Sequence, residues 1–157
     1  GGGAILREVI AAAEILEKDY AVSCDIWSAV SFNELRLDAA DVEHYNYLNP
    51  EKDPKISHVR AKLADCKGPI IAATDYMKMY ADQIRSQIDA PYYVLGTDGF
   101  GRSATRAVLR HHFEVDAKHI VYQALRALSI HEDMAVDWKS VRKKLHIDSN
   151  KPNPVTQ

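Results

Sequence analysis

The chain has 157 residues, 46% of them apolar and 27% charged, with a formal net charge of −2. A polypeptide of this length forms one ordinary domain that buries roughly 70% of the surface its unfolded form exposes, so it needs no disulfide or metal to fold. That balance excludes a disordered or fibrous chain; the near-zero charge gives no general pull toward nucleic acid or anionic membrane, and no apolar run approaches the ~20 residues that span a bilayer.

The opening, GGGAILREVI, has neither the basic region nor the cleavage site of a signal peptide, so a cytoplasmic protein is expected. Cys24 and Cys66 have no CxxC spacing and are expected to be reduced, buried as small apolar groups. Ile5, Val9, Ala12, Ala13 and Leu16 recur at three- and four-residue steps, which predicts a helix over Ala4–Lys18. Three glycines before it suit a strand-to-helix turn, so a first strand is expected upstream of Gly1; residues of an expression tag are the alternative.

Ala21–Val30, AVSCDIWSAV, reads as a strand of a parallel sheet. SFNE, Ser31–Glu34, is a capping box, placing a helix start at Phe32. Asp41–Lys55 contains Pro50 and Pro54 and is expected to be irregular or short-helical, covering one edge. Val59–Ala64 reads as helical, ended by Gly68 and Pro69. Ile70–Ala73 is a short buried strand, Tyr76–Ile88 a helix through Met77, Tyr80 and Ile84, and Tyr92–Leu95 another strand. Ser103 and Asp116 are each placed to cap a helix, the first with Val108, Leu109 and His112 on its apolar face, the second with Ile120, Val121, Leu125 and Leu128. Trp138–Leu145 is a last helix before the polar tail SNKPNPVTQ. One domain over 1–149 and a loose tail over 150–157 follow. Strands alternating with helices imply an α/β fold of three layers, α/β/α, with a mostly parallel sheet.

Ligands of such sheets sit at the carboxyl ends of strands, where LGTDGFGRSATRAVLRHH places its glycines. The spacing is G-x-x-G-x-G after the last strand, which is not a dinucleotide fingerprint, and a Walker lysine is absent. What remains is generic. Amides of a helix starting near Ala104, with Arg102 and Arg106, suit an anion; alternatively Gly96, Gly99 and Gly101 only permit tight geometry, while Asp98 accepts from the loop's own amides or pairs with Arg102. Arg102, Arg106 and Arg110, four apart, stack on one face if helical, to meet an acidic partner or water. His111, His112, Glu114, Asp116 and His119 form the one cluster suggesting a metal. The two adjacent histidines point to different faces and His119 falls beyond a predicted cap, which argues against ligation; His112 is expected to close a core face and His111 to sit near a helix end. Neither cysteine has an identifiable base, and Asp38/Asp41 and Glu132/Asp133 read as surface carboxylates, so no catalytic set is found.

LGTDGFGRSATR with LRHHFEVDAKHI at Leu109–Ile120 closely resembles the C-terminal domain of the homodimeric pyruvate dehydrogenase E1 family, as do ILREVIAAAEILEKDYAVSCDIWSAVSFNEL at Ile5–Leu35 and AATDYMKMYADQIR at Ala72–Arg85. In that family an acidic residue usually follows the serine where this chain has Ala104, and the tail after Asn150 departs most. The resemblance implies a thiamine-diphosphate and magnesium enzyme that decarboxylates pyruvate and acetylates the lipoyl arm of E2, the dihydrolipoyl acetyltransferase. It implies that the cofactor lies between upstream domains carrying Gly-Asp-Gly and paired asparagines. The TDGF of Thr97–Phe100 is not that motif, since no asparagine follows at the needed distance. No catalytic, cofactor-binding or metal-binding residue is carried over, and this stretch alone is expected to bind no cofactor and to be inactive. A transketolase C-terminal-like scaffold is expected, with Gly96, Asp98, Gly99, Phe100, Gly101, Arg102, Ser103, Arg106, His111 and His112 as a signature loop touching another domain or the second subunit. The remaining E1 domains, the second subunit and E2 are the expected partners, with no nucleic acid and no membrane. The rival reading is a free-standing α/β module binding a phosphate-bearing small molecule at Gly96–Ser103.

Overall fold

Ile70–Ala73 (β1) pairs in parallel with Tyr92–Leu95 (β2), Ile70 opposite Tyr92 and Ala73 opposite Leu95, in a computed structural model that describes residues 1–156. Alternation along the two strands sends side chains to opposite faces. Ile71, Ala73 and Leu95 join a core with Ile5, Ala12, Leu16, Val121 and Leu125; Ile70, Ala72, Tyr92 and Val94 join a second core with Phe32, Val59, Ala81 and Ile84. The two cores define the outer layers. One holds Leu6–Tyr20 (α1) packed on Ala117–His131 (α6), with Trp138–Leu145 (α7) against α6. The other holds Phe32–Leu48 (α2), His58–Leu63 (α3) and Lys78–Asp82 (α4). Arg106–His112 (α5) leads into α6. The architecture is the expected α/β one, helix-rich with a small sheet. No described helix is long and apolar enough to cross a membrane.

Local chemistry explains most element ends. Ser31 Oγ accepts from Glu34 N at 3.3 Å and starts α2 at Phe32. Asp137 does the same for α7 through Lys139 N and Ser140 N. Both strands and α7 match the sequence reading residue for residue.

Five expectations are corrected. Ala21–Val30 forms no strand: α1 closes on Ala21 in the left-handed region, and the residues after it run without a ladder. Cys24, expected inside that strand, is exposed, while Cys66 is half-buried. The first part of Asp41–Lys55 is helical, because Pro50 and Pro54 fall beyond Leu48 and cost α2 nothing. Tyr76–Ile88 is broken: Met77 is extended and supplies no side-chain cap, α4 spans five residues, and a short 3-10 turn covers Arg85–Gln87. Lastly, Thr105 caps α5, so the helix begins at Arg106 rather than near Ala104.

Candidate functional site

The loop after β2 is held from below by backbone. Thr97 N donates to Tyr76 O at 2.8 Å and Thr97 Oγ1 to Asp75 O at 2.9 Å. Asp98 Oδ1 accepts from Lys78 N at 2.8 Å, serving the first amide of α4 across the sheet end. That corrects the expected pairing of Asp98 with its own loop or Arg102. Gly96 is required by contact, since a Cβ there would lie 2.7 Å from Lys78 N and from Tyr76 O. Gly99 has φ +109°, and a Cβ there would collide with Pro154 O. Gly101, by contrast, has nothing within 4 Å of a Cβ position. Phe100, Arg102, Ser103 and Arg106 are exposed, Phe100 by 78%.

The arginine stripe does not form as expected, because Arg102 precedes α5 and only Arg106 and Arg110 share the helix. Arg110 points inward instead. Its Nη1 donates to Glu8 Oε1 at 2.7 Å, and Glu8 Oε2 accepts from Ala117 N at 2.9 Å, so one carboxylate joins α1, α5 and the first turn of α6. Lys151 closes the other end of α5: its Nζ donates to His111 O at 2.7 Å, His112 O at 2.9 Å and Glu114 Oε1 at 3.1 Å. A cation there complements the carbonyls a helix leaves unsatisfied. Sequence reading missed both Glu8 and Lys151, whose partners lie over a hundred and about forty residues away along the chain.

Glu114, at φ +62°, lies in the turn that carries the chain from α5 into α6. This brings His111, Asp116 and His119 together, which corrects the expectation that the cap separates them. His111 Nδ1 donates to Asp116 Oδ2 at 3.0 Å and His119 Nδ1 to Oδ1 at 2.7 Å; Oδ1 also accepts from His119 N at 2.9 Å. Burial alone raises the Asp116 carboxyl, but the side-chain and backbone hydrogen bonds from His119, its charge and the His111 bond outweigh it and hold the pKa at about 2. The three ligating atoms lie within 4.8 Å of one another. Both carboxylate oxygens are nonetheless already bonded, Oδ1 to the His119 amide it caps and Oδ2 to the His111 ring, at a helix start whose dipole opposes a cation. His112 Nε2 is buried with no partner among the described residues, and burial, then Arg102 and Lys151, push its pKa down.

A separate concavity lies elsewhere. A cleft of about 890 Å³ separates Ser23–Ala29 from the outer edge of β1. Val9, Ala12 and Leu16 line it on one side, and Phe32, Val59 and Leu63 on the other.

A short parallel sheet between two helical layers, with a braced loop at its carboxyl end, defines an α/β domain of the kind used as a module in larger chains. The chain belongs to the transketolase-like TK C-terminal domain family, whose sequence model matches residues 1–116. It is 48% identical over 99% of its length to the pyruvate dehydrogenase E1 component of Cupriavidus necator, and 48% identical over 99% to that of Pseudomonas aeruginosa. With the Escherichia coli protein of the same name the identity is 47% over 98%. The match falls in the C-terminal region of these relatives, and the chain spans 18%, 18% and 17% of their respective lengths.

Proposed function

We propose that the chain is the C-terminal, subunit-bracing domain of a pyruvate dehydrogenase E1 component. The 48% identity running through 99% of the chain, against relatives of which it spans 18%, carries the reading. In this reading the longer protein decarboxylates pyruvate with thiamine diphosphate and passes the acetyl group to E2, as a cytoplasmic homodimer that consumes the product of glycolysis.

The donors present here do not fit that cofactor. Magnesium takes oxygen ligands, whereas the cluster with metal-ligand spacing offers two imidazoles and one carboxylate already used as a cap. Asp98, the carboxylate of the glycine loop, is bonded to Lys78 N. No step is therefore routed through residues of this chain. Their role is positional: Gly96 and Asp98 tie the loop to α4, Glu8 and Lys151 brace α5, and the exposed Phe100, Arg102, Ser103 and Arg106 form the contact with another domain or the second subunit.

Arg102→Glu in the full-length enzyme tests this. The expected result is a weaker dimer by sedimentation and a lower specific activity, with pyruvate KM unchanged; identical values for all three would contradict it. The rival anion module has its own test in thermal shift of the 157-residue chain with inorganic phosphate and ATP. No saturable stabilisation is expected, because a ligand that binds only the native state must raise apparent stability.

A further inference from the structure

The chain beyond α7 comes back to the end of α5 and to the glycine loop. A turn at Asp148 starts it: Oδ1 accepts from Asn150 N at 2.9 Å, and the carbonyl from Lys151 N at 3.3 Å. The Lys151 side chain is only 17% exposed, and its ammonium meets three acceptors, His111 O, His112 O and Glu114 Oε1. An ammonium has three donors, so all of them are used, which a passing surface ion pair does not achieve.

Three residues further on the same segment touches the loop. A Cβ at Gly99 would collide with Pro154 O and stand 3.3 Å from Val155 Cα, so the two backbones lie against each other. Pro152 and Pro154 restrict the segment, and Asn153 folds it into a short 3-10 turn. Its Oδ1 accepts from Val155 N at 3.1 Å, and its carbonyl from Thr156 N at 3.1 Å and Thr156 Oγ1 at 3.0 Å. Gly99 follows Asp98, which is bonded to Lys78 N, so the loop is held between α4 on one side and residues 154–155 on the other. Residues 100–106 beyond it are all exposed, and they lead directly into α5.

We infer that residues 150–156 are a strap with two seats, Lys151 on the end of α5 and Pro154–Val155 on Gly99, whose closure sets the position of the exposed stretch 100–106. One segment thereby fastens that stretch from both sides, through the glycine before it and the helix after it. Removing the Lys151 charge leaves the α5 carbonyls without their cation and frees the strap to lift from Gly99. The inference concerns how the loop is held and stands apart from the enzyme reading.

Hydrogen exchange with mass-spectrometric readout on the full-length protein tests it. In Lys151→Met, peptides over residues 97–105 and 106–114 are both expected to exchange on the order of 10-fold faster, with Ala117–His131 unchanged. Deletion of residues 151–157 should reproduce that pattern. Gly99→Ala presses on Pro154 from the other side and should speed exchange over residues 148–156. Acceleration confined to 106–114 in Lys151→Met overturns the proposal, because Lys151 would then be a helix cap and nothing more. Unchanged exchange in the deletion variant, or over 148–156 in Gly99→Ala, overturns it as well. So does acceleration that reaches Ala117–His131, since the segment would then support the whole domain rather than the loop.

Discussion

Ala21–Val30 and Tyr92–Leu95 both read as short apolar strands from their sequences, and Ser23–Ala29 and Tyr92–Leu95 both lie beside β1, yet only Tyr92–Leu95 is a strand. Tyr92–Leu95 finds the backbone of β1 at ladder distance. Ser23–Ala29 faces the same sheet across an apolar cleft and bonds it only through Gly1 and Gly2. Extended propensity prepares a segment for a sheet, but the strand exists only where a partner satisfies its amides and carbonyls. The two regions should therefore differ in stability, exchange and tolerance of substitution.

The sharpest separation is expected from truncation. Leu125, on α6, is fully buried in the core it shares with α1 and β1, so Leu125→Ala should cost about 2 to 5 kcal/mol in urea unfolding. Ile26→Ala, in the unpaired segment and 43% exposed, should cost less than about 1 kcal/mol. Comparable losses would mean that the segment is packed as tightly as the core.

Next comes the paired side of the sheet end. Gly96→Ala drives a Cβ against two backbone atoms of the Tyr76–Lys78 turn and should cost about 1 to 3 kcal/mol, with the largest exchange increase in α4. Glu8→Gln weakens the junction of α1, α5 and α6 and should lower stability by roughly 1 kcal/mol, more if Arg110 is left buried without a partner.

A smaller effect follows from pH. In the isolated 157-residue chain burial lowers the Gly1 amine from 8.0 to about 6, so between those values the unfolded chain binds more protons than the folded one. Stability from this group should then rise as pH increases from about 6 to 8, and acetylating the amine should remove that slope. Asp116 behaves in the opposite range: with its pKa lowered to about 2, its contribution is present above about 4 and lost as pH falls toward 2. Asp116→Asn should flatten that acid limb. The smallest effect is expected for Gly101→Ala, within about 0.5 kcal/mol, because nothing lies near its Cβ position.

Where local chemistry decides, the residues themselves disclosed the fold. Ser31 and Glu34 marked the start of α2, Asp116 the start of α6, and the apolar runs between turn residues marked β1 and β2 to the residue. Misreadings arose where distance along the chain hides the partner. Ala21–Val30 looked like a strand because side-chain character is local and pairing is not. Thr105 displaced Ser103 as the cap of α5 because both offer a hydroxyl and only the course of the chain selects between them. The candidate site was legible as a glycine loop at a strand end, but not the brace that Asp98 makes to Lys78 N. Its closure by Lys151 and the joining of His111 to His119 around Asp116 depend on the turn at Glu114, for which glycine would have been the visible signal.

The central claim, that this domain braces a larger enzyme and holds none of its chemistry, is tested most directly by carbon dioxide release from pyruvate. The purified 157-residue chain, supplied with thiamine diphosphate, magnesium and an electron acceptor, should release none above the blank. Saturable turnover that depends on the added cofactor would contradict it.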